Sequence, residues 1–192
     1  QYNFMRINNQ FDASYCWRYQ KGIEIKGSLS GDLSREILLE EFTPTTPCLM
    51  FTRQSLDDIG GFNETFLRHQ DYELLLKFFK NGYKINYLPK LLVTIGYNEG
   101  ENVLTGKKLI YNKLKFLNEF EEIIDFINHS QPGFKNKVHS QHWIKSSLSL
   151  INRGEIKLSL ITLIYALRKS CFWSSYFLMR VSYNKIKFIY DK

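Results

Sequence analysis

Residues 46–95, TPCLMFTRQSLDDIGGFNETFLRHQDYELLLKFFKNGYKINYLPKLLVTI, hold a succession of signals that narrows what the chain can build. Pro47 to Thr52 is an apolar run of strand length, and Arg53 to Ile59 reads as one or two helical turns. Gly60-Gly61 then breaks the chain, because only glycine enters positive φ without steric cost. Phe62 follows as a large anchor. His69-Gln70-Asp71 opens a helix in which Tyr72, Leu75, Leu76 and Phe79 fall at 3.6-residue spacing. Asn81-Gly82 ends that helix, and Tyr83 to Leu88 alternates like a half-buried strand. Strand, helix, hinge, helix, strand is an α/β pattern.

Upstream, residues 1–10 read as the end of a helix stopped by Asn8-Asn9. Ala13 to Tyr19 is rich in β-formers, Gln20-Lys21-Gly22 is a turn, and Ile23–Lys26 is a short second strand. An amphipathic helix is expected from Leu33 to Phe42, with Leu33, Ile37, Leu38 and Phe42 on one side. Pro44 and Pro47 make the connection after it rigid. Downstream, residues 97–102 form a polar loop, and a boundary near 103 introduces long helices at roughly 103–129, 135–152, 156–170 and 172–190. The stretch SSLSLINRGEIKLSLITLIYALRKS is similar to one helix–turn–helix of TPR type, although one unit is not an array. His139-x-x-His142 has helical i, i+3 spacing but no Cys, Asp or Glu partner nearby, so it is not a metal site.

At 192 residues the chain suits one domain and an appendage. Its 44% hydrophobic and 16% aromatic content excludes disorder. Cys16, Cys48 and Cys171 are far apart in sequence and form no CxxC pair, so neither a disulfide framework nor a zinc site is indicated. A reduced, cytosolic setting is the default. Charge is uneven. Residues 1–102 hold 11 Lys+Arg against 13 Asp+Glu, net −2, whereas residues 103–192 hold 15 against 6, net +9. In the last helices Phe172, Trp173, Tyr176, Phe177, Tyr183, Phe188 and Tyr190 interleave with Arg180, Lys185 and Lys187. That composition suits a helical core with a solvated basic face, or contact with an anionic membrane surface. The apolar run Leu158–Leu167 is too short to span a bilayer.

Two motifs, Ile59-Gly60-Gly61-Phe62-Asn63-Glu64 and Gln70-Asp71-Tyr72-Glu73-Leu74, follow the PCLMFTR strand. Together they resemble the acceptor half of family 2 glycosyltransferases with the GT-A fold, over roughly residues 10–105. The resemblance implies a partial GT-A (nucleotide-diphospho-sugar-transferase-like) domain over 1–102 and an all-α extension over 103–192. It implies that Asp71 is the general base of an inverting sugar transfer. Gly60, Gly61, Phe62, His69 and Gln70 would then shape the acceptor side, and Arg53 and Arg68 would face donor phosphates. Gln70 stands where the family commonly has an acid; an amide still donates and accepts hydrogen bonds. Glu73 lies about 200° around the helix from Asp71 and is expected to be solvated or ion-paired. Asp71 itself has a simpler alternative role as a helix cap.

The resemblance also implies Mg²⁺ or Mn²⁺, held mainly by a DxD motif. No D-x-D occurs in these residues, and Glu99 is the remaining candidate oxygen ligand. Because the sequence opens at Gln1 with no apolar leader, a partial chain is expected, with its donor-binding half elsewhere. The implied partners are a nucleotide-sugar donor and a glycan or lipid-linked acceptor. The implied setting is bacterial surface-polysaccharide synthesis on the cytoplasmic face of the membrane. A rival reading makes residues 103–192 a non-catalytic helical adaptor that binds protein. A nucleic-acid binder is suggested by pI ≈ 9.2, but no compact Lys/Arg run and no RNP-like or zinc-finger pattern supports it.

Overall fold

The structure is a computed structural model. It describes residues 1–66, 68–96 and 104–190, with side chains up to residue 182. The chain divides into two compact units, Gln1–Val103 and Leu104–Lys192.

Unit 1 is a mixed α/β unit organised on one strand, β1 (Ala13–Gln20). A helix, α1 (Tyr2–Ile7), precedes it. β1 pairs along its whole length with the parallel strand β4 (Ile85–Ile95). It is also paired antiparallel at Ala13–Tyr15 with β3 (Leu49–Phe51), and at Arg18–Gln20 with β2 (Ile23–Ile25). Since a strand has two edges, β2 and β3 share the one left by β4. The β1–β4 register slips between Cys16 and Arg18, opposite Leu88–Val93. That span contains Pro89, which has no N–H to give the ladder. β4 is longer than the Tyr83–Leu88 strand expected, because pairing resumes past the proline.

Three helices complete the unit: α2 (Ser34–Leu38), α3 (Arg53–Asp58) and α4 (Gln70–Lys80). The helix expected over 33–42 stops at Leu38, since Glu40 takes a left-handed φ of 49°. Its apolar set is still buried: Leu33, Ile37, Leu38 and Phe42. The strand expected from Pro47 is likewise shorter, as Thr46–Cys48 forms a 3-10 turn with the proline in its first positions. α4 is the core helix. Leu74, Leu75, Leu76 and Phe78 are all fully buried, so apolar residues cover more of its circumference than one stripe.

Unit 2 is all-α in its described residues: α5 (Gly106–Glu119), α6 (Glu121–Ser130), α7 (Phe134–Ile151), α8 (Ile156–Lys169) and α9 (Cys171–Tyr190). The single helix expected over 103–129 is instead two, broken at Phe120, whose φ of −107° leaves helical geometry. The ring of Phe120 is buried against Phe116, and its carbonyl accepts the amide of Ile124, which starts α6. α7 and α8 are joined through Gly154 at φ 76°. They pack through small polar residues, with the hydroxyls of Ser147 and Ser159 at 2.8 Å and each also bonded to the other's carbonyl. Among the described residues no helix is long and apolar enough to cross a membrane.

Candidate functional site

The loop between α3 and α4 positions the central carboxylate. Thr52 caps α3 by accepting the Ser55 amide. α3 then ends with Gly60 and Gly61 at φ 71° and 62°, where a Cβ would meet nothing within 4 Å. Backbone conformation, not crowding, selects glycine there. Asn63 tightens the next turn by accepting the amide and hydroxyl of Thr65. The buried anchor of the loop is Phe66, at 0% exposure; Phe62, expected in that role, is 42% exposed. The turn at Asn63 explains the difference, since it brings the later ring inward. Phe62 remains free to shape an outer wall.

α4 is held to this loop by two polar ties. Gln70 Nε2 donates to the carbonyl of Phe66 at 2.9 Å, and Lys77 Nζ donates to the carbonyl of Gly61 at 2.8 Å. Lys77 also lies 3.1 Å from Glu73 Oε1. Glu73 is ion-paired but not solvated: it is fully buried, and neither carboxylate oxygen receives a hydrogen bond, because the Lys77 contact lacks hydrogen-bond geometry. The sequence pattern places it off the Asp71 face, as observed, but does not reveal that both faces of α4 are covered.

His69 precedes the helix in the left-handed region, at φ 64°. His69 is half-buried, with its ring 4.9 Å from that of Tyr72. Asp71 sits in the first turn of α4, half-buried, and its Oδ1 accepts the Tyr72 amide at 3.1 Å. Burial pushes its carboxyl above the usual carboxylate range. The Tyr72 amide and the charges of Arg68 and Arg18 pull the other way without overcoming burial. Burial also raises the neighbouring Tyr72 phenol, with Glu40 and Asp71 adding to the effect.

Of the residues expected around Asp71, the structure thus gathers Gly60, Gly61, His69, Gln70 and Arg68 on one loop and helix start. Arg53 is not among them; its guanidinium stands in solvent, paired with Asp57 at 3.2 Å. Arg18, from the middle of β1, takes its place in the field felt by Asp71 and Tyr72. Arg18 carries no signal of its own in the sequence, because it lies in a β-rich run more than fifty residues upstream with no motif around it.

Glu99 lies outside the described residues. Among those described, no group of three or more His, Cys, Asp or Glu side chains converges. His139 and His142 do not act as a pair. His142 Nδ1 lies 2.9 Å from the buried Lys113 Nζ, and His139 is held by burial at a pKa of about 4. Cys16 and Cys48, distant in sequence, belong to one buried cluster with Leu88, both as free thiols. No family model, curated protein or solved structure matches this chain.

Proposed function

We propose that the protein is the acceptor-side part of an inverting, family 2-type glycosyltransferase of GT-A fold, with Asp71 as general base. The observation that carries this reading is the state of Asp71. It is a half-buried carboxyl of raised pKa in the first turn of α4, the helix that Lys77 ties to the double-glycine turn. In the reaction, the acceptor hydroxyl oxygen forms a bond to the anomeric carbon from the side opposite the nucleoside diphosphate. The bond to the diphosphate oxygen breaks, that group leaves with the electron pair, and the hydroxyl proton passes to Asp71. Asp71 Oδ1 is engaged by the Tyr72 amide, which leaves Oδ2 for the proton. A base of raised pKa holds the transferred proton more strongly, as general-base catalysis favours. Gly60, Gly61 and the outward Phe62 supply the acceptor wall.

The donor nucleotide sugar and its metal belong to a donor half carrying the DxD motif. The exposed side chains of Leu160, Ile161, Ile164, Phe172 and Met179 lie on α8 and α9 with exposed Lys157, Lys169 and Arg180. That mixture supports contact with an anionic membrane surface, and hence a lipid-linked or growing glycan acceptor at the cytoplasmic face. The test is a screen of nucleotide sugars for release of nucleoside diphosphate, with Mg²⁺ or Mn²⁺ and the donor half supplied. Turnover with one donor, with an acid limb above the ordinary carboxylate range, supports the reading. No turnover and no nucleotide binding with any donor transfers the weight to the adaptor reading of residues 103–192.

A further inference from the structure

A cavity of about 250 Å³ opens beside β1, between the segment that follows β2 and the connection that follows α2. It is smaller than the roughly 300–1,000 Å³ of drug-sized sites, and suits one small ring with its substituents. Arg18, Lys26, Ser28, Glu41, Thr43 and Thr45 give it polar lining, Lys26 being paired with Glu24, and Phe42 and Cys48 belong to its apolar part. Tyr15 is fixed at its edge, with its hydroxyl donating to the Leu29 carbonyl and accepting the Leu29 amide.

Arg18 is the unusual group. It is 9% exposed, yet its hydrogen-bond partners are neutral: Nε donates to Gln20 Oε1 at 3.0 Å, and Nη2 to Thr43 Oγ1 at a long 3.5 Å. Among the described residues no carboxylate lies within ion-pair distance of it. Glu41, also in the lining, is engaged by Arg35 at 3.3 Å. Asp71 feels the Arg18 charge only from farther away. A lysine or histidine placed here would relieve its burial by losing a proton, but a guanidinium stays charged. Its five N–H donors are fewer than half spent, and the fork they form matches a carboxylate or phosphate.

We propose that this cavity binds an oxyanion carried on a small ligand, a carboxylate or phosphate held by Arg18 beside the hydroxyls of Thr43 and Ser28. The inference rests on the transferase reading only for the ligand's role. On that reading the acceptor is an acidic sugar or a sugar phosphate, with its anionic group in the cavity while a hydroxyl reaches Asp71.

The test is titration of the whole chain, at constant ionic strength, with glucuronate, glucose 6-phosphate and glucose. Trp17, whose indole bonds to the Gly27 carbonyl on the lining, serves as the fluorescent reporter. At least one anion should bind ten times more tightly than glucose or better, and Arg18→Gln should weaken it tenfold or more. Glucuronate alone binding identifies a carboxylate, and glucose 6-phosphate alone a phosphate. Should Arg18→Gln not fold, the pair Ser28→Ala and Thr43→Val, with Arg18 kept, should weaken binding at least threefold. No anion binding, equal binding of glucose, or affinity unchanged in these variants overturns the site. A chain that binds no anion yet turns over a donor loses this site and keeps the transferase. A chain that binds the anion yet turns over nothing does the reverse.

Discussion

Both units bury polar groups, and they treat them differently. In unit 2 much of the buried polarity is paired side chain to side chain or to a carbonyl, with His139 Nε2 and Ser174 Oγ buried without a hydrogen-bond partner. Ser147 and Ser159 satisfy each other across the α7–α8 contact, Thr162 bonds the Ser159 carbonyl, and Lys113 meets His142. Small hydroxyl residues let two helix backbones approach. Unit 1 also buries or half-buries charges whose pairing is incomplete. Glu73 has an ion-pair neighbour but no hydrogen bond, Arg18 has only neutral partners, and Asp71 is raised by its own burial. Taking a charge out of water is expensive unless something compensates it. Matched burial builds a scaffold; at Arg18 the unmatched buried charge lies in the lining of a cavity.

The comparison is sharpened most by Phe66→Ala. Removing the fully buried anchor of the α3–α4 loop should cost about 4 kcal/mol, read as a shift in urea midpoint. A loss under about 1 kcal/mol would mean that the loop is not anchored there. Lys77→Met should cost about 3 kcal/mol, because it leaves the Glu73 carboxylate buried with no counter-charge. Adding Glu73→Gln to that variant should recover most of the loss. If the double variant is as unstable as the single one, Lys77 acts through Gly61 alone. On the other side of the comparison, Ser147→Leu should cost about 2 kcal/mol by forcing α7 from α8. A neutral effect would show that the close approach is not needed.

A further effect concerns acid. His139 is depressed from 6.5 to about 4, chiefly by burial, with Lys169 and Lys135 adding to it and Glu121 and Asp125 opposing. Between those values the unfolded chain binds more protons than the folded one. The stability this neutral histidine provides is therefore complete above pH 6.5 and lost as pH falls towards 4. His139→Leu should flatten unit 2 stability over that interval, and an unchanged slope would assign the acid sensitivity to other groups.

Much of this arrangement is legible in residue patterns. The hinge at Gly60-Gly61, the start of α4 at Gln70-Asp71 and its end at Asn81-Gly82 are local, because turn and cap chemistry is written in adjacent residues. Failures of the pattern came where distant parts decide. Phe62 and Phe66 are equivalent in sequence, and only the Asn63 turn selects which one is buried. Glu73 reads as a surface residue because the second covered face of α4 is made by tertiary packing. Arg18 reads as one more strand residue, and its meaning comes from an Asp71 field and a cavity that bring residues 15 to 48 together. The break at Phe120 is likewise carried by ring packing rather than by any Gly or Pro.

The central claim is that Asp71 is the base, and Asp71→Asn tests it most directly. The exchange keeps shape, hydrogen-bonding atoms and the α4 start, and removes the proton acceptor. Because burial raises the Asp71 pKa, its ionised form detracts from stability above that pKa. The variant should therefore melt no lower than the parent at neutral pH. On a donor that the parent turns over, kcat/KM should fall by a factor of about 10² or more. A loss of only a few-fold in a fully folded variant would contradict the account, leaving Asp71 as a buried helix-start residue and the base elsewhere.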